Sequence, residues 1–367
     1  KKNDINKIFV SIINISSFQR QQLINSLKSL NIDYEFLINN SDTNKSLINI
    51  NYKKDNILNI KNENIEKMFK NKTVLVTGAA GSIGEELCFQ LIPFVKNMIA
   101  VDKNELGVSN LISKFKILSK KNTKVFLCNL LNKENLKDIV QDYKPDYIFH
   151  AAAYKHVEIC EENPYETAIN NCIGLYNILK ISEELKISHF TFISTDKAVN
   201  PINIMGRTKQ FGEFLVKQFA KKKFDNSQNF ISVRFGNVLN SSGSLIPKLR
   251  KQIETGNNIS ITDKNASRYF MTISDAVNLV LESSFLKKNG NTFVLKMGKP
   301  VNIYNLAKEM LKEYKTYGNT NEDIQINIIG LRPGEKLHEE LCHENFQQET
   351  TNPNIFLDNY TFKDQNF

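Results

Sequence analysis

The chain has 367 residues, 41% of them hydrophobic, which is enough to bury the core of one large or two smaller domains. Its formal net charge is +9, but the lysines are dispersed and there is no arginine-rich helix or RNA-binding aromatic motif, which argues against nucleic acid as a partner. The five cysteines show no metal-binding spacing, and no stretch approaches the roughly 18 apolar residues of a membrane helix.

Residues 1–40 predict part of an α/β domain. The apolar runs at 8–13 and 34–38 are typical of strands, and the residues between them have the period of a helix. Residues 41–66 are rich in Asn, Lys, Ser and Ile without a clear period, so we interpret them as a linker. Because the chain begins with two lysines rather than methionine, we expect it to be part of a longer protein.

A glycine-rich turn follows the first strand of the next region. The run TVLVT at 73–77 predicts a buried strand, and Gly78, Gly81 and Gly84 come directly before a helix predicted over 85–94. In this context the first glycine permits a tight turn, the second lets backbone amides approach a pyrophosphate, and the third allows close helix packing. The pattern therefore predicts a dinucleotide site at the start of the helix.

An acidic residue ends the next predicted strand, which spans 98–101. Asp102 lies about 20 residues after the glycines, where a carboxylate accepts hydrogen bonds from the adenosine ribose and repels a 2′-phosphate. We therefore expect the cofactor to be NAD rather than NADP, although Lys103 follows immediately.

Further strands alternate with helices through a core that we assign to residues 67–235. They are predicted at 125–127, 147–150, 190–193 and from Arg234 onward. This alternation is typical of a doubly wound parallel sheet, an α/β fold that binds its ligands at the carboxyl ends of the strands. Three small residues, Ala151 to Ala153, follow one of these strands and would allow a flat ligand to approach closely.

The fifth predicted strand ends in an acid and a base. Thr195, Asp196 and Lys197 follow it, and the next helix carries Met205 and Lys209 four residues apart, so that both lie on one helix face. A carboxylate and an amine in a desolvated cleft can act as general acid and base. We expect burial and the neighbouring charge to shift both pKa values towards the working range.

Several segments together resemble one family. TGAAGSIG, HAAAYKHVEICEENP, INNCIGLYN, ISTDKAVNPINIMGRTKQ, RFGNVLNSSGSLIPKL, SRYFMTISDAV, FVLKMGKPVNI and LRPGEKLHEEL occur in this order within residues 71–341. They are similar to the extended short-chain dehydrogenase/reductase (SDR) proteins of bacterial polysaccharide biosynthesis, and most similar to the UDP-N-acetylglucosamine 4,6-dehydratases. The resemblance implies a Rossmann core with a smaller C-terminal substrate-binding region.

The resemblance also implies a reaction and a location. Bound NAD would oxidise carbon 4 of UDP-N-acetylglucosamine, water would be lost across carbons 5 and 6, and the hydride would return to carbon 6, giving a UDP-4-keto-6-deoxy sugar. Long members of the group carry membrane helices and a small α/β domain before the catalytic domain. We therefore expect residues 1–40 to be the end of that small domain, the parent protein to be anchored in the inner membrane, and this chain to lie on the cytoplasmic side. A homodimer is expected because exposed helices of this fold commonly pair.

The catalytic residues implied by the resemblance are Thr195, Asp196, Lys197, Met205 and Lys209. Asp196 would protonate the carbon 6 hydroxyl and Lys197 would deprotonate carbon 5, with the roles exchanged or relayed as alternatives. Thr195 would bind the oxygen on carbon 4, and Lys209 the nicotinamide ribose. Met205 stands where most SDR enzymes have a tyrosine and cannot accept a proton, so the base for the carbon 4 hydroxyl is Asp196 or a water held by Thr195 and Lys209.

The binding residues follow from the same motifs. The expected cofactor contacts are Gly78, Gly81, Ser82, Ile83, Gly84, Asp102, Asn129, Leu130, Ala151, Ala152, Ala153, Asn171 and Lys209. The expected substrate contacts are Lys155, His156, Asn237, Arg268, Arg332 and Glu335. Residues 236–345 would form most of the nucleotide-sugar region, and residues 346–367 a loosely ordered tail. No metal site is expected.

Two other functions remain open at this stage. A nucleotide-sugar 4-epimerase has the same fold and cofactor, but it needs no acid and base for elimination, so the Asp196–Lys197 pair argues against it. A non-catalytic NAD-binding protein is the other alternative, and Met205 in place of the usual tyrosine supports it.

Overall fold

The N-terminal residues form two short parallel strands. The computed structural model describes residues 7–10, 18–19, 22–23, 26–27, 33–36, 62–118, 122–222, 227–241, 243–286, 288–316 and 323–360. β1 (Lys7–Val10) pairs with β2 (Asp33–Phe36), and the described residues between them are helical. Both predicted strands are present, and residues 11–13 and 37–38 of the predicted runs lie outside the described residues. Phe18 packs on Phe89 with 5.0 Å between ring centroids, so this segment contacts the main body of the protein.

The predicted linker at 41–66 is wrong at its C-terminal end. Residues 41–61 lie outside the described residues, but residues 62–66 belong to helix α1 (Asn62–Phe69). Ile65 and Phe69 are four residues apart and both are buried in the main core. A short apolar stripe of this kind forms a helix because tertiary packing stabilises it.

A mostly parallel sheet forms the centre of the protein. Its strands are β3 (Thr73–Thr77), β4 (Asn97–Asp102), β5 (Thr123–Leu127), β6 (Tyr147–His150), β7 (His189–Ile193), β8 (Asn229–Arg234), β13 (Thr292–Leu295), β16 (Gln347–Glu349) and β17 (Ile355–Asp358). Within the described residues these nine strands lie in the order β16-β17-β13-β8-β7-β6-β3-β4-β5. The strand order reverses between β3 and β6, which is the point where doubly wound sheets bind ligands. The predicted fold is confirmed.

Helices cover both faces of this sheet. They are α2 (Ser82–Leu91), α3 (Glu105–Ile117), α4 (Lys133–Tyr143), α5 (Val157–Glu162), α6 (Pro164–Ala168), α7 (Gly174–Glu184), α8 (Ile204–Lys221) and, later in the chain, α10 (Ile273–Ser283). Successive side chains of a strand point to opposite faces, so Val74 and Val76 belong to one buried cluster and Leu75 to the other. Burial on both faces explains the continuous apolar runs in the sequence.

A smaller region packs beside the sheet around a third apolar cluster. It contains β9 (Asn237–Val238), β10 (Ile259–Ile261), β11 (Ser267–Arg268), β12 (Phe270–Met271), β14 (Val301–Asn302), β15 (Ile326–Ile328), α9 (Leu245–Glu254) and α11 (Ile303–Thr316). Its strands form three two-stranded pairs among the described residues, β9 with β12, β10 with β15 and β11 with β14. The predicted region 236–345 is not continuous, because α10 and β13 return to the main sheet and core.

The predicted loose tail at 346–367 is also wrong over much of its length. β17 pairs antiparallel with β13, and β16 pairs with β17 at the edge of the sheet. Ile355 and Leu357 are buried in the main core, which explains why these residues are ordered. Residues 361–367 lie outside the described residues. Within the part of the chain that the structure describes, no helix is both long and apolar enough to span a bilayer.

A buried ionic network fastens β17 to the core. Arg234 donates to Glu213 through Nε at 3.1 Å and Nη2 at 2.7 Å, and to Asp358 through Nη1 at 2.6 Å. His343 Nδ1 lies 2.7 Å from the same Asp358 carboxylate. Burial alone would raise the pKa of Asp358, but His343 and the Arg234 charge hold it well below its usual value. The carboxylate therefore contributes stability above the unfolded pKa of about 4, and this contribution is lost as the pH falls below it.

We expect Asp358→Asn to lower the free energy of unfolding by about 3 kcal/mol near neutral pH, because Arg234 loses one of two buried counterions. Urea unfolding measures this loss, which should shrink as the pH falls below about 4. The exposed Asp138→Asn is the matched control and should change the value by less than about 0.5 kcal/mol. Equal losses in the two variants would contradict a role for the network.

Candidate active site

The glycine turn after β3 has the geometry of a nucleotide cradle. Gly78 has φ +68°, and a Cβ on it would lie 2.5 Å from the Ala152 nitrogen. A Cβ on Gly84 would lie 2.1 Å from the Gly78 oxygen. Both positions therefore require glycine. Gly81 is the N-cap of α2 and has no side chain with which to cap it, so an anion can approach the first turn.

Asp102 ends β4 beside this turn. Its Oδ2 accepts a hydrogen bond from the Ala80 amide at 2.9 Å, and its Oδ1 accepts one from the Asn104 amide at 2.9 Å. The carboxylate thus fixes the glycine turn and keeps further lone pairs for ribose hydroxyls. This second, structural role of Asp102 was not predicted.

A cavity of about 210 Å³ opens at this edge of the sheet. The predicted cofactor residues in its wall are Gly78, Gly81, Asp102, Asn129, Leu130, Ala151, Ala152 and Ala153. Ser82, Ile83 and Gly84 lie in the first turn of α2, behind that wall. A narrow cavity with a glycine turn at one end and a carboxylate at the strand end has the form of an NAD-binding site.

Lys103 is held by the opposite wall of the cavity. Its ammonium donates to the Tyr154 hydroxyl and, at 2.9 Å, to Asn170 Oδ1, and it lies 4.0 Å from the centroid of the Tyr154 ring. These neutral partners take up two of the three N–H donors of the ammonium. Sequence reasoning missed Tyr154 and Asn170, because their approach to Lys103 depends on the fold.

Asn171, a predicted cofactor contact, is not among the residues that line this cavity. It lies on the π-helical turn Ile169–Ile173, where its Nδ2 donates to the Tyr154 oxygen at 3.1 Å and to Thr208 Oγ1 at 3.0 Å. Its Oδ1 accepts from the Tyr154 amide at 2.8 Å. The amide therefore fastens the loop after β6 to α8, and π-helical turns are often found at such functional positions.

The acid and the base predicted after β7 point inward and meet. Thr195 caps a 3₁₀ turn, Asp196–Ala198, and its hydroxyl donates to Asp196 Oδ1 at 2.8 Å. Lys197 Nζ lies 3.0 Å from the same oxygen, and the Asp196 side chain is fully buried. Asn237 Oδ1, a predicted substrate contact, accepts from Lys197 at 3.4 Å.

The two lysines of the site have opposite pKa shifts. Burial alone would lower the pKa of Lys197, but Asp196 and Glu339 outweigh burial and raise it. The expectation that the pKa of Lys197 would shift towards the working range is therefore wrong. Burial lowers the pKa of Lys209 to about 8, with Glu213 opposing the shift. Lys209 donates to the Ile193 oxygen at 2.8 Å.

Met205 and Lys209 lie one turn apart on α8, as predicted. Asn203 caps this helix by accepting from the Gly206 amide at 2.6 Å. The side chains of Met205 and Lys209 are both buried. The Met205 side chain is apolar and buried, which is consistent with a gap-filling role.

The predicted substrate residues divide into an inner and an outer group. Arg268 belongs to the inner group, where it pairs with Glu335 at 2.7 Å and donates to the Leu337 oxygen at 3.0 Å. Arg332 lies at the surface, paired with Glu158 at 2.6 Å. Asn237 and Arg268 thus lie near Lys197, and Glu335 is joined to Arg268. The Arg332 side chain turns away to Glu158, although its backbone amide donates to Glu335 Oε2 at 3.4 Å.

Lys155 and His156 are exposed in the loop after β6. His156 is the N-cap residue of α5, and its ring packs on Gly243, where a Cβ would lie 2.5 Å from Cε1. Burial, together with the charge of Lys155, lowers the pKa of His156, so the ring is neutral at neutral pH. The imidazole therefore touches the serine- and glycine-rich loop that precedes α9.

Residues 334–341 form a segment that completes the site. The Gly334 oxygen accepts from Asn203 at 2.8 Å, and Lys336 donates to the Val199 oxygen at 2.9 Å. Glu339 Oε1 lies 3.4 Å from Lys197 Nζ. Sequence reasoning missed Glu339, because about 140 residues separate it from the 3₁₀ turn Asp196–Ala198 and only the tertiary structure brings them together.

The fold and the site define an extended SDR protein. The chain belongs to the family described as polysaccharide biosynthesis protein, whose model matches residues 74–359. It is 43% identical over 287 residues to capsular polysaccharide biosynthesis protein CapD of Staphylococcus aureus, covering 77% of this chain and 47% of that protein. The chain thus spans about half the length of this relative.

Two further similar proteins are a curated relative and a solved structure. UDP-glucose 4-epimerase of Rickettsia bellii is 34% identical over 279 residues, which cover 75% of this chain and 78% of the relative. The solved structure of Pen from Bacillus thuringiensis superposes with a TM-score of 0.73 at 34% identity, covering 79% of this chain and 88% of Pen. Extended SDR structures are therefore matched over most of the chain.

We expect Gly84→Ala to weaken NAD binding by about tenfold or more, because the new methyl group would overlap the Gly78 oxygen and force the turn apart. Calorimetric titration with NAD measures this. Gly174→Ala is the control, since its Cβ would make an ordinary 3.4 Å contact with Leu130 within a helix. Unchanged affinity in Gly84→Ala would refute the assigned turn.

Proposed function

We propose that the chain catalyses the NAD-dependent 4,6-dehydration of UDP-N-acetylglucosamine to a UDP-4-keto-6-deoxy sugar. The observation that carries this proposal is the buried Asp196–Lys197 pair, joined at 3.0 Å at the carboxyl end of β7. Elimination of water needs an acid and a base together, whereas epimerisation at carbon 4 does not. Membership of a polysaccharide biosynthesis family supports a nucleotide-sugar substrate.

NAD, when bound, would remove a hydride from carbon 4 and return it to carbon 6. Oxidation at carbon 4 makes the proton on carbon 5 acidic, so the protein's part is to move protons. Thr195 would hold the oxygen on carbon 4, and Lys209 the nicotinamide ribose. This division leaves the Asp196–Lys197 pair for the elimination.

The pair would act by sharing one proton. The raised pKa of Lys197 places that proton on the lysine amine. Filling the cleft removes water and favours the uncharged forms, so the proton would pass to Asp196 across their contact. Asp196 would then protonate the departing carbon 6 hydroxyl while Lys197 takes the carbon 5 proton, which restores the ion pair.

The remaining protons also balance. Lys197 would return its proton to carbon 5 when the hydride adds to carbon 6, and delivery by the same amine to the same face predicts retention at carbon 5. The proton lost from the carbon 4 hydroxyl would make up for the proton that leaves with the carbon 6 hydroxyl as water. We assign its uptake to a water held by Thr195 and Lys209 rather than to Asp196, because Asp196 already carries the proton for the carbon 6 hydroxyl.

The substrate would lie across the edge of the sheet between the two groups of predicted contacts. Arg268, Glu335 and Asn237 would position the sugar nucleotide near Lys197, while Lys155, His156 and Arg332 would contact it from the outer side. A planar guanidinium suits a diphosphate, although Arg332 must first leave Glu158.

The parent protein is proposed to be longer and anchored in the inner membrane, with this chain on the cytoplasmic side. The partial coverage of CapD and the 42% identity to an uncharacterised membrane protein of Methanocaldococcus jannaschii support this proposal. We also infer a homodimer through exposed helices, which include the exposed Tyr176 and Phe211. Membrane fractionation of the full-length protein and light scattering of this chain test the two points.

Incubation with UDP-N-acetylglucosamine, without added reductant, is expected to yield a product lighter by one water in a mass spectrum. An isomer of unchanged mass would favour the epimerase, which the Rickettsia relative makes the second candidate. No change in a protein that retains NAD would favour a non-catalytic role.

We further expect Asp196→Asn and Lys197→Ala each to reduce water loss by at least about a hundredfold while leaving NAD bound, because each variant removes one half of the proton-transfer pair. Mass spectrometry of the product measures turnover, and NAD content is measured in the same preparations. Lys137→Ala, a surface substitution on α4, is the control and should keep full activity. Wild-type turnover in either active-site variant would overturn the assignment.

A further inference from the structure

Glu339 is a buried carboxylate at the catalytic turn that no predicted role includes. Its side chain is 2% exposed, and its Oε1 lies 3.4 Å from Lys197 Nζ and 4.0 Å from Arg268 Nε. Its Oε2 is buried without a hydrogen-bond partner in the structure. Burying a carboxylate is costly unless cations offset it, so its position calls for a reason beyond packing.

Glu339 adds a second ion pair to the contacts of the Lys197 ammonium. The ammonium donates hydrogen bonds to Asp196 Oδ1 at 3.0 Å and Asn237 Oδ1 at 3.4 Å, and Glu339 Oε1 lies 3.4 Å from it as a second anion. These three oxygens come from different parts of the chain. The amine is therefore held in one position before any substrate binds.

The charges around Lys197 favour its protonated form. Asp196 and Glu339 are the anions beside the ammonium, and Arg268 is the nearby cation. Glu335 pairs with Arg268 at 2.7 Å and offsets much of its charge. Without Glu339, one carboxylate and one guanidinium would remain beside Lys197. Less negative charge would then offset burial, which disfavours the charged amine.

The 334–341 segment fixes Glu339 in place. Asn203 and Val199 bind this segment on one side, and the Ser267 amide donates to the Leu337 oxygen at 3.0 Å on the other. Hydrogen bonds on both sides restrict the backbone that carries Glu339. The carboxylate is thus positioned by the C-terminal region against a lysine of the Rossmann core.

We propose that Glu339 is a positioning residue that holds Lys197 charged and in place before substrate binds, and so sets the pH range in which the Asp196–Lys197 pair works. The effect on catalysis rests on the dehydratase function proposed above. The effect on Lys197 itself does not, because it can be measured without substrate.

Glu339→Gln keeps the shape and one acceptor but removes the charge. Trace acetylation of the NAD-loaded protein across alkaline pH, with mass spectrometry of the Lys197 peptide and the exposed Lys299 as reference, gives the labelling midpoint of Lys197. We expect this midpoint to fall by about one pH unit or more, because an opposite charge at this distance shifts a pKa by that amount. Glu339→Asp should restore part of the difference.

Glu340→Gln is the matched control, because this neighbouring carboxylate is 51% exposed and pairs with Lys336 and Asn200 instead. It should leave the midpoint unchanged. An unchanged midpoint in Glu339→Gln, or an equal shift in Glu340→Gln, would overturn the proposal.

The second readout is the pH dependence of kcat/KM for dehydration. Because the pair must keep its single proton, we expect the alkaline limb to move to lower pH in Glu339→Gln by the same amount as the labelling midpoint. A uniform loss of rate without a shift would indicate a merely structural role and count against the proposal. Absence of dehydration in the wild-type protein would refute the proposed function alone, while the labelling result would still decide the role of Glu339.

Discussion

The parallel register of the central sheet is the constraint on which the site depends. Thr77 pairs with His150, and Ile193 with Val233, so the strands β3, β6, β7 and β8 end at one edge. Each segment of the site then comes shortly after a strand end. These segments are the glycine turn, Ala151 to Ala153, the turn Asp196–Ala198, and Asn237. A one-residue slip would turn these side chains to the opposite face and separate the groups.

Charge placement then gives different proton affinities to the two lysines beside the cleft. Lys197 faces two carboxylates and keeps its proton, whereas Lys209 faces a backbone carbonyl and lies 4.6 Å from the centroid of the Phe192 ring. Glu213, one turn after Lys209, is largely engaged by Arg234 and by the Ser194 hydroxyl at 2.5 Å. The site therefore contains one strongly held proton and one amine that can exchange its proton near neutral pH.

The sequence was sufficient for those features that depend on local pattern. The glycine turn, Asp102 at the next strand end and the helical spacing of Met205 and Lys209 follow from neighbouring residues and were found. The raised pKa of Lys197 could not be predicted, because its second carboxylate comes from residue 339. The structural role of Asn171 could not be predicted for the same reason, since its partners Tyr154 and Thr208 lie on other elements. The strands β16 and β17 are too short to be recognised without β13 as a partner.

The antiparallel addition of β17 has a consequence for the order of events during synthesis. β13 pairs with β8 on one side, and its other side has no partner until residues 355–358 have left the ribosome. Until then Arg234 has Glu213 as a counterion but lacks Asp358. Until those residues emerge, the nascent sheet therefore carries a bare apolar edge at β13.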